Sequence, residues 1–246
     1  SPFIPLDEKN SSLPCTVYSF NIKNRAAATI TVDVLGWLEN KVAPRSAKEP
    51  DKRVNTVFSD KNTQGVFCSI GLNANPALSA AADYGSLSIA SIGKQAITQT
   101  IFSLPITASS FGQQIADKTE KGIADRLMAS VCTSHQIGPN QTASTETVIS
   151  WHFVNLKLNK AIQDKGRYYN NWFKSADAVA AYVAVNANQL FTESKRWKQT
   201  WYDSSLPWWF LVANASLTAA ALWLGIKIGE RLAELRRLND EARQGG

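Results

Sequence analysis

At 246 residues, 44% hydrophobic and 19% charged, the chain is long enough for one or two domains with a sizeable core, and it has no low-complexity tract. The net charge of +6 is not gathered into a basic stripe with interleaved aromatics, which argues against a nucleic-acid partner. Cys15, Cys68 and Cys132 stand far apart, without a CxxC pair or a histidine at ligand spacing. They read as reduced, buried thiols of a reducing compartment rather than as metal ligands, nucleophiles or a disulfide framework.

In chain order, Tyr18, Phe20 and Ile22 alternate with Ser19, Asn21 and Lys23, the period of a half-buried strand. Asn24 and Arg25 supply a turn, and Ile30, Val32 and Val34 alternate with Thr29, Thr31 and Asp33 in a second strand. The two are expected to pair as an antiparallel hairpin that ends at Gly36-Trp37-Leu38. A polar, charged loop follows over 43–53, then strands near 54–58, 66–72, 85–90 and 98–102. Residues 105–128 are less regular, with a short helix expected in FGQQIADKTEKGIADRL despite Gly122. His135 falls in a stretch that reads as loop. Thr145, Thr147, Ile149, Trp151 and Phe153 alternate with Glu146, Val148, Ser150 and His152 in a further strand. Short strands separated by turn clusters argue for an antiparallel sandwich over 1–155. Residues 156–175 then form a polar linker.

Helical spacing takes over at Ala176. Val179, Val183, Ala187, Leu190, Trp197 and Trp201 continue one apolar face, with Ser175 placed to cap the helix and Asp177 in its first turn. That face is expected to need partner helices. Pro207 suits the first turn of a second helix, with Ser204 or Ser205 as its cap. Residues 206–226 carry no charge, so their length and flanking tryptophans leave a membrane span open beside a buried core helix. Beyond them Leu224, Ile228, Leu232, Leu235 and Leu238 line one face opposite Glu230, Glu234 and Arg237. Arg231, Arg236, Arg237 and Arg243 alternate there with acidic residues, as on a solvated helix face.

The run GRYYNNWFKSADAVAAYV and then TESKRWKQTWYDSSLPWWF resembles the opening of the catalytic domain of glycoside hydrolase family 116, the family of β-glucosidases that includes the non-lysosomal (bile acid) glucosylceramidases. SPFIPLDEKNSSLPCTVYSFNIKN, VLGWLEN, DYGSLSIA and SWHF resemble the non-catalytic β domain of the same family. The pieces occur in the family's order and the likeness fades after Ser216. The resemblance implies a β-sandwich followed by the first helices of an (α/α)6 barrel over 176–246, with a non-matching amphipathic helix from about 217. It also implies a chain that begins within a longer protein, where the absence of a secretory leader and the N-x-[ST] patterns at Asn10, Asn140 and Asn214 carry little weight.

The implied parent reaction is retaining hydrolysis of a β-glucosidic bond, in glucosylceramide or another β-glucoside. It needs two carboxyl groups about 5 Å apart, one as nucleophile and one as acid/base. No position here matches either family motif, so no catalytic, cofactor or metal residue is assigned and whether the chain is an enzyme is left open. Asp7, Glu8, Glu39, Asp51 and Asp60 fall in loops, and Asp177 and Asp203 suit helix starts. His152 is expected to turn away from Trp151 as a satisfied interior residue, with no serine or cysteine for it to activate. Trp197, Trp201, Tyr202, Trp208 and Trp209 are expected to pack as core.

The leading expectation is therefore an inactive scaffold portion of such a glycosidase, cytoplasmic and peripheral at membranes, without cofactor. Val179, Val183 and Leu190 would then form an exposed patch over which the C-terminal helix folds. A carbohydrate- or partner-binding sandwich and a membrane-anchored β domain remain as alternatives.

Overall fold

A computed structural model describes residues 3–93, 96–104, 111, 116–156 and 166–205, with helical positions at 212–213, 216–218, 220–221, 223–224, 227 and 230–231. Two compact units divide at Ser194, within a long helix. The first, Ser1–Ser194, opens with a single-turn helix α1 (Glu8–Ser11) whose N-cap Asp7 accepts from the Asn10 amide at 3.0 Å. Among the described residues nine strands follow: β1 (Cys15–Lys23), β2 (Ile30–Glu39), β3 (Lys52–Asp60), β4 (Thr63–Ile70), β5 (Gly85–Ile92), β6 (Ile97–Gln99), β7 (Lys118–Gly122), β8 (Met128–Ile137) and β9 (Thr142–Phe153). Helix α2 (Ala176–Tyr202) closes the order.

The strands form two antiparallel sheets, one of six in the order β1-β9-β5-β4-β3-β7 and one of three in the order β2-β8-β6. The sheets stack as a sandwich, but burial does not follow the expected faces throughout: Tyr18 and Phe20 of β1 are each 47% exposed, and in β9 the row of Val148, Ser150 and His152 is buried while Ile149 and Trp151 are half-buried. Val66, Cys68 and Ile89 of the larger sheet meet Ala129 and Val131 of the smaller one between the layers.

The expected β1–β2 hairpin does not form. β1 pairs with β9 and β2 with β8, in different sheets. Alternation reports which face of a strand is buried, not which strand lies beside it, and both rows face the same interior from opposite layers. Asn24 shapes the crossing: its Nδ2 donates to the carbonyls of Ala28 and Ile137, each at 2.8 Å, and its Oδ1 accepts from the Ala26 amide at 2.8 Å.

Three more expectations are corrected. Gly36, Trp37 and Leu38 lie within β2, which runs on to Glu39. The helix expected up to Leu127 gives way to β7, because Lys118–Gly122 satisfies its backbone on the edge of β3; residues 112–115 of that stretch lie outside the described set. His135, expected in a loop, sits on β8, whose Met-Ala-Ser-Val-Cys-Thr run is buried almost throughout and lacks the alternation that marks a one-sided strand.

At the end of β2, fully buried Asn40 ties three strands together. Its Nδ2 lies 3.1 Å from the Val54 carbonyl, 2.9 Å from the Ser69 carbonyl and 3.0 Å from Asn55 Oδ1. Asn55 donates onward to the Thr100 carbonyl at 2.9 Å. Buried amides survive only when bonded, and these satisfy one another.

The outer face of the larger sheet carries α2. Asp177 lies in the first turn, and the Ser175 carbonyl accepts from the Val179 amide at 3.2 Å. Ala176, Val179, Ala180, Val183, Ala184 and Leu190 are buried, and most of them pack with Leu13, Cys15, Ala90, Val148 and Phe173. The expectation that this face needs partner helices, and would otherwise lie exposed, is thereby corrected: a β-sheet covers it. The patch assigned to the C-terminal helix is already covered, and that helix's Ile228, Leu232, Leu235 and Leu238 lie outside the described residues.

Past Ser194, Trp197 and Trp201 meet edge to face with centroids 5.6 Å apart, and Trp201 is 42% exposed, so core packing does not extend to it. Residues 157–165 of the expected linker and most of 206–226 also lie outside the described set. Among the described residues no helix is long and apolar enough to cross a membrane.

Candidate functional site

The most elaborate polar arrangement in the first unit lies where α2 begins. Along β5 and β9 the row facing away from the sandwich interior reads Ser86, Ser88 and Ala90 on one strand and Val148, Ser150 and His152 on its neighbour. Small hydroxyl side chains let backbone approach closely, and the chain from Phe173 to Ala176 comes down on them. Ser86 Oγ accepts from the Ala176 amide at 3.0 Å, and Ser150 Oγ donates to the Ala176 carbonyl at 2.6 Å. Ser88 Oγ bonds Ser150 Oγ at 2.6 Å. His152 Nε2 donates to the Phe173 carbonyl at 2.9 Å.

Around this clamp the segment before α2 is fixed at several further points. Gly166 adopts φ +78, a left-handed conformation that favours glycine, and starts the descent onto the sheet. The Tyr169 hydroxyl accepts from the Phe153 amide at 3.1 Å, and its ring lies 5.4 Å from the His152 ring. Phe173 is buried and meets Tyr182 edge to face at 5.3 Å. The Tyr182 hydroxyl in turn donates to Asn10 Oδ1 at 2.9 Å, while the Lys9 ammonium sits 4.1 Å above the Tyr182 ring. Glu8 accepts from the Tyr168 hydroxyl. Gly85, at the start of β5, permits close pairing: a Cβ there would stand 2.2 Å from the His152 carbonyl oxygen.

Chemically this is a positioning device. Burial pushes the His152 imidazole below its ordinary pKa, against the bond to the Phe173 carbonyl, which favours the charged form. The ring is held neutral with its Nε2 proton committed to a main-chain oxygen, as expected of a satisfied interior histidine. Ser150, two residues away on the same face, has its proton committed to the helix. Neither is poised for nucleophilic or acid–base work.

The carboxylates considered from sequence are dispersed in structural roles. Asp7 caps α1, Glu39 pairs with Lys41 at 3.0 Å and Arg126 at 3.3 Å, and Asp60 accepts from the Lys61 amide at 2.6 Å. Asp51 is buried and accepts from the Lys48 amide at 2.9 Å. Asp177 sits in the first turn of α2, and Asp203 accepts from Gln199 Nε2 at 2.8 Å just past its end. The hydrogen bond from Lys41, with Arg126 adding to it, holds the Glu39 carboxyl below the usual range. The three cysteines are buried free thiols. Burial pushes Cys15 to about 11 and Cys68 to about 12, and raises Cys132 too, so none is a ready nucleophile. Among the described residues no group of three or more His, Cys, Asp or Glu could hold a metal ion.

Several recesses open from the sandwich among the described residues, two of them on its strand faces. One, of about 550 Å³, is polar and lined by Ser91, Thr133, His135, Ser144, Thr145 and Glu146; His135 Nε2 is buried there without a hydrogen-bond partner. The other, of about 360 Å³, is a groove between β1 and β2 with Tyr18, Phe20 and Trp37 on its walls.

Sequence reasoning singled out neither the serine row nor the groove. The signal for the clamp was present, since DYGSLSIA and SWHF supply all four of its side chains and GRYYNNWFKSADAVAAYV supplies the backbone it grips. Segments distant in the chain converge on one junction. The family comparison covers the same elements: residues 1–190 match the family model described as beta-glucosidase 2, glycosyl-hydrolase family 116 N-term. The matched region therefore includes the clamp and α2 as far as Leu190.

Proposed function

The chain belongs to glycoside hydrolase family 116, as that family's N-terminal region, and from this premise we propose that it is the non-catalytic scaffold of a retaining β-glucosidase. The family acts on β-glucosides. In this reading the sandwich does no chemistry of its own. It fixes the first long helix of an (α/α)6 catalytic domain, and the two carboxylates of the reaction belong to that domain. The observation that carries the reading is the clamp, in which Ser86, Ser150 and His152 bond the main chain of Phe173 and Ala176 directly. Holding backbone rather than side chains sets the start and direction of α2, and misplacement of a catalytic group by about 1 Å is enough to cost a hundredfold in rate. The substrate we infer is glucosylceramide or another β-glucoside, hydrolysed in the cytoplasm with the enzyme peripheral at membranes; three buried free thiols accord with a reducing compartment.

The test is hydrolysis of an aryl β-glucoside. Purified chain should release no glucose above buffer, whereas the same chain followed by a family 116 catalytic domain should be active. In that longer protein Ser150→Val should lower kcat with KM little changed. Glucose release by the isolated chain would overturn the scaffold reading.

A second reading, a carbohydrate-binding sandwich, is favoured by the polar recess at His135, whose hydroxyls and open imidazole nitrogen suit sugar hydroxyls. Calorimetric titration with glucosides decides it, since a scaffold gives no saturable heat.

A further inference from the structure

The serine row grips the start of α2 from the sheet, and the N-terminal turn reaches the same helix by a separate route. That turn is itself firmly tied down. Ser11 Oγ accepts from the Ile4 amide at 3.0 Å and donates to the Ile4 carbonyl at 2.7 Å, which closes residues 4–11 on themselves. Just beyond it the Pro14 carbonyl accepts from the Trp151 amide at 2.9 Å, and Leu13 and Cys15 are buried with Val179 and Val183 of α2. Three consecutive side chains of α1 then meet aromatic residues of the α2 region: Glu8 meets Tyr168, Lys9 lies over Tyr182 and Phe173, and Asn10 bonds the Tyr182 hydroxyl.

We propose that α1 is a strap that fixes the roll and direction of α2, with Lys9 and Asn10 as its positioning residues and Tyr182 as the point they hold. Its consequence for hydrolysis rests on the scaffold reading above. Three observations carry the proposal. First, Asn10 is set before the helix meets it. The residue is 7% exposed, its Nδ2 donates to Asp7 Oδ2 at 2.6 Å and its main-chain amide to Asp7 Oδ1 at 3.0 Å. A flipped side-chain amide would turn its oxygen against the Asp7 carboxylate, so Oδ1 is left aimed at Tyr182, from which it accepts at 2.9 Å.

Second, Tyr182 is placed where a hold adds something that the clamp lacks. Ser86 and Ser150 fix the helix at Ala176. Tyr182 lies six residues on, about 9 Å along the axis, and a rod held at one end takes its direction from a second hold. It also lies about 60° round the helix from Val179, on the flank of the buried stripe. Val179, Ala180 and Val183 are covered by apolar contact, which is non-directional and leaves the roll of the helix less defined than a hydrogen bond does.

Third, one cation joins the helix to the segment before it. The Lys9 ammonium stands 4.1 Å from the centroid of Tyr182 and 5.7 Å from that of Phe173, and the two rings meet edge to face. Phe173 is the residue whose carbonyl His152 holds. The strap and the clamp therefore act on adjoining parts of one segment from different elements.

The test uses the full chain carrying Lys9→Met together with Tyr182→Phe, which remove the cation and the hydroxyl but keep the apolar bulk. Circular dichroism should be unchanged. Hydrogen exchange should quicken about tenfold over 177–183 and stay as in the parent in β4 and β8. Tyr182→Phe alone should show the same pattern at smaller amplitude. Lys9→Arg, which keeps a cation over the ring, should exchange as the parent does. Exchange reads the strap whether or not a catalytic domain follows, so its failure is distinct from failure of the scaffold reading. In the chain followed by a family 116 catalytic domain, the paired variant should lower kcat with KM little changed. Unchanged exchange over 177–183, equal quickening in β4 and β8, a Lys9→Arg chain that exchanges like the paired variant, or undiminished kcat would each overturn the proposal.

Discussion

Replacing Val183 by alanine probes whether α2 is an integral part of the sandwich. The Val183 side chain is 1% exposed, against Cys15, Ala90 and Val148 of the larger sheet. Removing two methyl groups forfeits about 1.6 kcal/mol of transfer free energy at ~0.8 per carbon. A residual cavity of roughly 40 Å³, at about 24 cal/mol per Å³, adds about 1 kcal/mol. Alanine returns about 0.5 kcal/mol through its better helix propensity, leaving a net loss of about 2 kcal/mol.

Val185 lies two residues on and is 61% exposed, so Val185→Ala should be neutral or slightly stabilising. Urea unfolding followed by circular dichroism is the assay: Val183→Ala should lower the midpoint with an unchanged slope. Hydrogen exchange should quicken in β1, β5 and β9 as well as in the helix. Equal midpoints for the two variants, or faster exchange confined to α2, would refute the assignment of the helix to this unit.

Two other outcomes follow from the polar interior. The depressed pKa of His152 means that, as pH falls through about 6.5, the unfolded chain takes up its proton before the folded one does. Its contribution is therefore present above the unfolded value and is lost as pH falls toward the folded value. His152→Gln, which keeps an amide donor for the Phe173 carbonyl but does not titrate, should show a shallower loss of urea midpoint between about pH 7.5 and 5.5; identical slopes would contradict this. Asn40→Ala removes the donor shared by the Val54 and Ser69 carbonyls and Asn55 Oδ1. With about 1–3 kcal/mol for each buried group left unbonded, a loss of about 3–4 kcal/mol is expected. At about 2–4 °C per kcal/mol for a unit of this size, the melting temperature should fall by about 10 °C.

How far the chain was legible varied with the kind of signal. β9 was clear because Thr145 to Phe153 alternate cleanly, and that strand is buried differently on its two faces. β8 was not, because Met128 to Thr133 are buried on both sides and their sequence shows no period. The helical face of Val179, Val183 and Leu190 was visible, but its partner was misjudged: an apolar stripe states that it must be covered and says nothing of whether helices or a sheet will do it. At the junction, Ser86, Ser88, Ser150 and His152 looked like the polar side of half-exposed strands. They are buried because a backbone segment docks on them, and small hydroxyl residues suit either fate.

What the amino-acid order determined by itself was local: which residues alternate, where strands give way to helix, and, through the motifs from Ser1 to Phe210, the family. The tertiary structure decided the pairings. It separated β1 from β2 into different layers, laid α2 on the six-stranded sheet, and left Tyr18 and Phe20 half-exposed. The reason is that side-chain period is set by backbone geometry within a few residues, whereas partnership depends on which distant segments can satisfy each other's hydrogen bonds and bury each other's apolar faces together.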